Sequence, residues 1–173
     1  MKKLLTGITA AALTFGAIAP SMSVFAAEKG EKNVPVTYDN RNIIPDPDNP
    51  NDAAWGVVVP TAIAFTDTKT EVAANVELVG MNGHVISELG DKFSVNVKVK
   101  SANGMKLVYD TDSLGYTLAY GDVDVIGTTD VPVADLTVAA PEKVGKATFN
   151  GDKAKKLGNH TDTLTYTIQD NDQ

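Results

Sequence analysis

The chain contains no cysteine among its 173 residues. This absence excludes disulfide bonds and a thioether-linked lipid anchor, which needs a cysteine just after a secretion signal. Such a domain has to be stabilised by its core alone. Hydrophobic residues make up 43% of the sequence, and a chain of this length buries enough of them for one domain.

Basic residues are scarce as well. Lysine and arginine number 15 against 22 aspartates and glutamates, so the formal net charge is −7. An acidic surface repels phosphate backbones and anionic lipid headgroups. We therefore predict that the protein binds no nucleic acid and does not insert into a membrane once its secretion signal has been removed.

Residues suited to catalysis are few. Only 6% of the chain is aromatic, whereas a glycan-cleaving cleft usually offers several aromatic platforms. His84 and His160 are the only histidines, and neither lies in a nucleophile motif such as Gly-x-Ser-x-Gly. We predict that the protein is not an enzyme, has no catalytic residues and needs no cofactor.

The N-terminus has the layout of a secretory signal peptide. Met1-Lys2-Lys3 is followed by an uncharged, apolar or small run from Leu4 to Ala19, and Val24-Phe25-Ala26 suits a cleavage site. The run is shorter than the ~20 residues that a membrane-spanning helix needs. We predict cleavage of residues 1–26 and secretion. The polar C-terminus carries no Leu-Pro-x-Thr-Gly sorting motif, so we expect any attachment to the cell surface to be non-covalent.

Alternation of apolar and polar residues predicts an all-β domain over residues 55–173. It is clearest in Phe93–Lys100 and in Thr163–Ile168, the last strand, which is expected to close a sheet. Turn residues separate about nine to ten such strands, which is typical of an immunoglobulin-like β-sandwich of two antiparallel sheets. We expect residues 93–109 to form a hairpin around Ser101-Ala102-Asn103-Gly104. Further strands are predicted at Ile63–Phe65 and, unbroken, at Glu71–Val79, and one helical turn at Val85–Leu89.

Residues 27–54 are predicted to be a flexible N-terminal segment. Val34–Tyr38 is an edge-strand candidate, because Pro35 cannot donate to a β-ladder. The following Pro/Asx-rich stretch is expected to be an extended, stiff linker. Its side-chain oxygens also suit a calcium ion, although the spacing is not that of an EF-hand. The weak metal-ligand candidates are Asp46, Asp48 and Asp52.

Two aromatic residues are weak candidates for ligand binding. Trp55, the only tryptophan, begins an apolar strand, where a core position is the simpler interpretation and ligand stacking the alternative. Tyr166 lies on the apolar face of the last strand, so it is either a core residue or a contact residue.

Two stretches resemble the WxL-type cell-surface domains of low-GC Gram-positive bacteria. Val59-Pro60-Thr61-Ala62-Ile63-Ala64-Phe65 is similar to their apolar opening segment. Thr163–Ile168 is similar to their closing strand, with Tyr166-Thr167-Ile168 standing where the Trp-x-Leu motif lies. The resemblance implies a β-sandwich at the cell surface that attaches non-covalently to peptidoglycan.

Two functions follow as expectations. The first is a secreted, non-catalytic module that binds peptidoglycan or other cell-surface proteins and serves in adhesion. The alternative is a self-associating fibre or matrix subunit, in which residues 34–38 add a β-strand to a neighbouring molecule. Pairing of residues 34–38 within their own sandwich is the simpler alternative to such an exchange.

Overall fold

The structure is a computed structural model that describes residues 42–151 and 153–171. The predicted signal peptide 1–26 and the strand candidate 34–38 lie outside the described residues. The described part contains strands and one short 3-10 helix, Ile86–Leu89, where the sequence predicted a helical turn. The strands are β1 Ile43–Pro45, β2 Trp55–Val58, β3 Glu71–Ala73, β4 Val76–Gly80, β5 Ser94–Ser101, β6 Lys106–Tyr109, β7 Asp112–Tyr120, β8 Val123–Asp124, β9 Val131–Thr137, β10 Glu142–Lys143, β11 Gly145–Phe149 and β12 Leu164–Asp170.

These strands form three sheets. The first has the order β1-β2-β4-β10, the second β3-β11-β7-β6 with β8 beside β7, and the third β12-β5-β9. All paired strands are antiparallel. The predicted fold class, an all-β sandwich of antiparallel sheets, is confirmed, but the described residues form three sheets where two were predicted.

One core joins the three sheets. Leu78 comes from the first sheet, Leu118 and Tyr120 from the second, and Val97 and Leu136 from the third, and none is more than 1% exposed. Each such side chain contributes about 1.5–3 kcal/mol when it leaves water. This burial explains how a cysteine-free chain holds the three sheets together.

The predicted hairpin over residues 93–109 is wrong. β5 pairs with β12 and β9, whereas β6 pairs with β7 in a different sheet. The buried Ser101 ends β5, and its hydroxyl accepts a hydrogen bond across the following turn from the backbone N–H of Met105 at 2.7 Å. Turn residues show that the chain reverses, but they do not show which sheet it joins next.

The predicted strand Glu71–Val79 is divided into two. β3 pairs with β11 and β4 pairs with β2, with Ala74 and Asn75 between them. The Asn75 side chain donates to Glu142 at 2.8 Å and accepts from the Gly145 backbone at 3.2 Å. These bonds anchor the point where the chain changes sheet.

Part of the stretch predicted as a linker is a strand. Ile43–Pro45, which is β1, pairs with β2 and so belongs to the folded domain. Pro45 is tolerated because β1 is an edge strand and Pro45 lies opposite Gly56, at a position that does not need its N–H. The neighbouring pair, Asp46 opposite Trp55, carries the bond instead, at 3.1 Å.

Candidate functional site

An apolar groove of about 470 Å³ lies beside the edge of β12. One side is the segment 59–65, which follows β2, and the other is the beginning of β12, residues 163–166. Side chains from β1, β6 and β7 complete the lining, namely Ile44, Leu107 and Tyr116.

The groove continues along the 59–65 segment. A second depression of about 230 Å³ shares Ile63 and Phe65 with the first and reaches His160. The two depressions together follow this segment, apolar in the first and mixed polar and apolar in the second, and their elongated shape suits an extended chain better than a compact ligand.

The 59–65 segment has the sequence pattern of a strand, but none of the described strands pairs with it. The N–H of Val59 donates to the carbonyl of Asn42 at 2.7 Å, which ends the β1–β2 pairing. From Thr61 to Phe65, no backbone group has a hydrogen-bond partner among the described residues. Ile63 and Phe65 are half-buried while Ala62 and Ala64 are exposed. The strand predicted at 63–65 is thus absent from the described ladders, although its alternation is present.

The opposite side of the groove is the outer edge of β12. The carbonyl of Thr163 accepts from Ala102, and the N–H of Asn171 donates to Ser94. Because backbone direction alternates along an antiparallel strand, the odd-numbered residues of β12 bond to β5 and the even-numbered ones face away. Leu164, Tyr166 and Ile168 therefore direct their backbone groups outward, and none has a backbone partner in the part of the chain that the structure describes.

Two tyrosines join the β12 edge to the sheet behind it. The hydroxyl of Tyr166 lies 2.9 Å from that of Tyr120, which is fully buried on β7. Burial raises the pKa of both phenols. They are neutral at ordinary pH, and this contact is a hydrogen bond between uncharged groups.

Asp162 is the one acidic residue among those that line the groove. Its Oδ2 accepts from the hydroxyls of Ser101 at 2.6 Å and Tyr116 at 2.7 Å, and its Oδ1 accepts from the N–H of Asn103 at 3.0 Å. Burial, and then the bond to Asp162, raise the pKa of Tyr116. The carboxylate thus holds the turn after β5 against the start of β12.

Both histidines have structural partners. His84 is exposed and contacts Glu88 at 2.9 Å. The nearly buried His160 lies 3.1 Å from the Oδ2 of Asp112, which also accepts from the backbone N–H groups of Lys155 and Lys156. Burial alone would raise the pKa of Asp112, but these hydrogen bonds outweigh it and lower the pKa. The cluster fastens the loop before β12 to β7.

The weak calcium candidates occupy the turn between β1 and β2. The Oδ1 of Asp46 accepts from the N–H of Asp48 at 3.0 Å, and the carbonyl of Asp52 accepts from the Asn49 side chain at 3.0 Å. Within residues 42–151 and 153–171, no three acidic, histidine or cysteine side chains are grouped as metal ligands. The contacts present at this turn are those of Asx residues that stabilise their own backbone.

The two aromatic candidates are in different surroundings. Trp55 is 3% exposed and packs its ring edge-on against Phe93, with 5.2 Å between ring centroids. Tyr166 lines the groove. The groove itself was not predicted, and the one available signal was an alternating segment beside a proline, at Pro60.

Comparisons with known proteins add little. No protein-family model matches the chain, and no curated protein matches it. Among solved structures, it is similar to a crystal structure of the P pilus rod subunit PapA, with 9% sequence identity and a TM-score of 0.39. That match covers 66% of this chain and 98% of the PapA chain. In the described residues, no helix has the length and apolar character needed to cross a bilayer.

Proposed function

We propose that the protein is a secreted, non-catalytic subunit of an extracellular fibre or matrix, and that its groove receives an extended strand from a neighbouring molecule. The observation that carries this proposal is the pair of facing edges. The backbone groups of Thr61–Phe65 and the outward backbone groups of Leu164, Tyr166 and Ile168 lack partners among the described residues, and both stretches border the same apolar groove.

An inserted strand would satisfy both edges at once. Main-chain hydrogen bonds give affinity in strand addition, and pockets for alternate side chains give specificity. The groove offers apolar contacts along Val59, Ile63 and Leu164. Each buried main-chain bond contributes about 0.5–1.5 kcal/mol, and each apolar side chain adds about 1.5–3 kcal/mol. An exposed edge otherwise promotes uncontrolled association, and regular strand addition turns this edge into a defined contact.

Sizing of the secreted protein by light scattering tests this function. We expect the mass to rise with concentration and regular assemblies to be visible by electron microscopy. Ile63→Lys places a charge in the groove and should abolish the rise. Ile126→Lys is the matched control, because Ile126 is 68% exposed and does not line the groove. A monomer at all concentrations, or equal loss with both variants, would contradict the proposal.

Association with the cell wall remains a second proposal, motivated by the predicted secretion and by the resemblance to WxL-type domains. Mixing purified protein with Gram-positive cell walls and sedimenting them tests it. Recovery of all the protein in the supernatant would show that peptidoglycan is not a partner.

A further inference from the structure

We propose that the strand received by the groove is Val34-Pro35-Val36-Thr37-Tyr38 of a second copy of this chain. This inference rests on the proposed function and names the partner of the same groove. It makes each molecule both donor and acceptor.

The donor's pattern matches the groove. In an extended chain Val34, Val36 and Tyr38 share one face and leave Pro35 and Thr37 on the other. The acceptor segment repeats this alternation, with Ile63 and Phe65 half-buried between exposed alanines. When the apolar residues of the donor and of the acceptor segment face the same way, which we call pairing in phase, either an antiparallel or a parallel arrangement places apolar side chains of both strands inside the groove.

The lengths also agree. At ~3.3 Å per residue, the seven residues 59–65 span about 23 Å and the five residues of an extended donor about 17 Å, so the donor fits within the acceptor segment. N–H groups of successive residues point to opposite sides of a strand. Pro35 has no N–H, so a hydrogen bond is lost toward one side of the groove only. The N–H groups of Val34, Val36 and Tyr38 point to the other side and are available to donate there.

The start of the described chain places the donor's attachment at the groove. Asn42 accepts the hydrogen bond of Val59, the first residue of the acceptor segment. Residues 39–41 connect Tyr38 to this point and reach at most about 14 Å. A donor that is connected to its own molecule by this short stretch and bound in the groove of the next would give a head-to-tail contact, which propagates into an open filament.

Because the chain contains no cysteine, introduced cysteines can test whether the contact forms between two molecules. Full-length Thr37→Cys protein is mixed under mild oxidation with Ala62→Cys or Ala64→Cys protein of different mass. The two acceptors cover both in-phase registers, because Thr37 then lies beside one of the two exposed alanines. Thr37→Cys mixed with Asp122→Cys is the control, since Asp122 is exposed in the turn before β8.

Binding raises the effective concentration of the paired thiols, so we expect a mixed dimer at position 62 or 64 to form at least about tenfold faster than at 122. Adding Val36→Asp to the donor should remove the difference, while Thr37→Cys alone keeps it. Equal rates at all three acceptor positions would overturn the inference.

The double variant Thr37→Cys/Ala64→Cys distinguishes an exchange from pairing within one molecule. An internal disulfide that forms at every dilution, with no mixed dimer, would overturn the exchange. If cross-linking is unselective while the protein still assembles on sizing, the donor assignment is wrong and the proposed function stands. If the protein neither cross-links selectively nor assembles, both are wrong.

Discussion

Removing either hydroxyl from the hydrogen bond between Tyr120 and Tyr166 should lower the free energy of unfolding, but by different amounts. The two hydroxyls lie 2.9 Å apart, and Phe substitution removes either one while keeping the ring. Tyr120 is fully buried, whereas Tyr166 lines the open groove. Each substitution therefore leaves the hydroxyl of the other tyrosine without its hydrogen-bond partner. Tyr166→Phe leaves the hydroxyl of a fully buried residue without its partner, whereas Tyr120→Phe leaves the hydroxyl of a half-buried residue that lines the groove.

The magnitudes follow from this difference. A buried polar group without a partner costs about 1–3 kcal/mol, so we expect Tyr166→Phe to lower the free energy of unfolding by that amount. Tyr120→Phe should cost only the net worth of the bond, about 0.5–1.5 kcal/mol. The double variant should cost less than the sum of the singles, because neither hydroxyl is then stranded.

Urea unfolding monitored by circular dichroism measures all three variants. Thermal melts should agree, at roughly 4 °C per kcal/mol for a domain of this size. The slope of unfolding against urea should not change, since the rings remain in place. If Tyr166→Phe costs no more than Tyr120→Phe, or if the two effects add fully, the reasoning about buried and solvated partners is refuted.

Three further predictions concern the core and pH. Trp55→Ala should destabilise the domain by about 3–5 kcal/mol, because it removes a buried ring that contacts Phe93; chemical unfolding measures this, and a cost below 1 kcal/mol would contradict the core assignment. The pKa of Asp112 is lowered in the folded state, so its contribution to stability is present above the ordinary value of 3.8 and is lost as pH falls through the lowered pKa. The free energy of unfolding, measured in steps from pH 5 down to pH 2, should therefore fall less for Asp112→Asn than for the natural chain. The raised pKa values of the buried tyrosines predict the opposite behaviour in alkali: stability should fall as pH rises above their ordinary value of 10.0, and a melting temperature unchanged up to pH 12 would contradict this.

Local pattern was a good guide to strands whose two faces differ. The last strand alternates from Leu164 to Asp170 between half-buried or buried and exposed residues, as its sequence predicted. β5 alternates between half-buried and buried residues from Ser94 to Ser101. An alternation with a period of 2 shows which face of a strand meets the core. It can be read from the residues of that strand alone.

The sequence predicted the pairing of strands poorly, because pairing depends on residues that are distant in sequence. The turn at Ser101–Gly104 predicted a hairpin, but Ser101 bonds to Asp162 and the chain crosses to another sheet. Ile63 and Phe65 have a strand's alternation, yet no described strand pairs with them. Short β1 was hidden among prolines and Asx residues that predict a linker.

The sequence by itself determined that this is an acidic, cysteine-free, all-β chain with one apolar face on each long strand, because composition and period are local properties. Only the tertiary structure decided which edges are paired. Whether a backbone edge is covered depends on the strand that comes to lie beside it, and no residue's own chemistry specifies that neighbour. The groove between residues 59–65 and β12 is a consequence of such pairing, so it becomes visible only when three sheets have packed around one core.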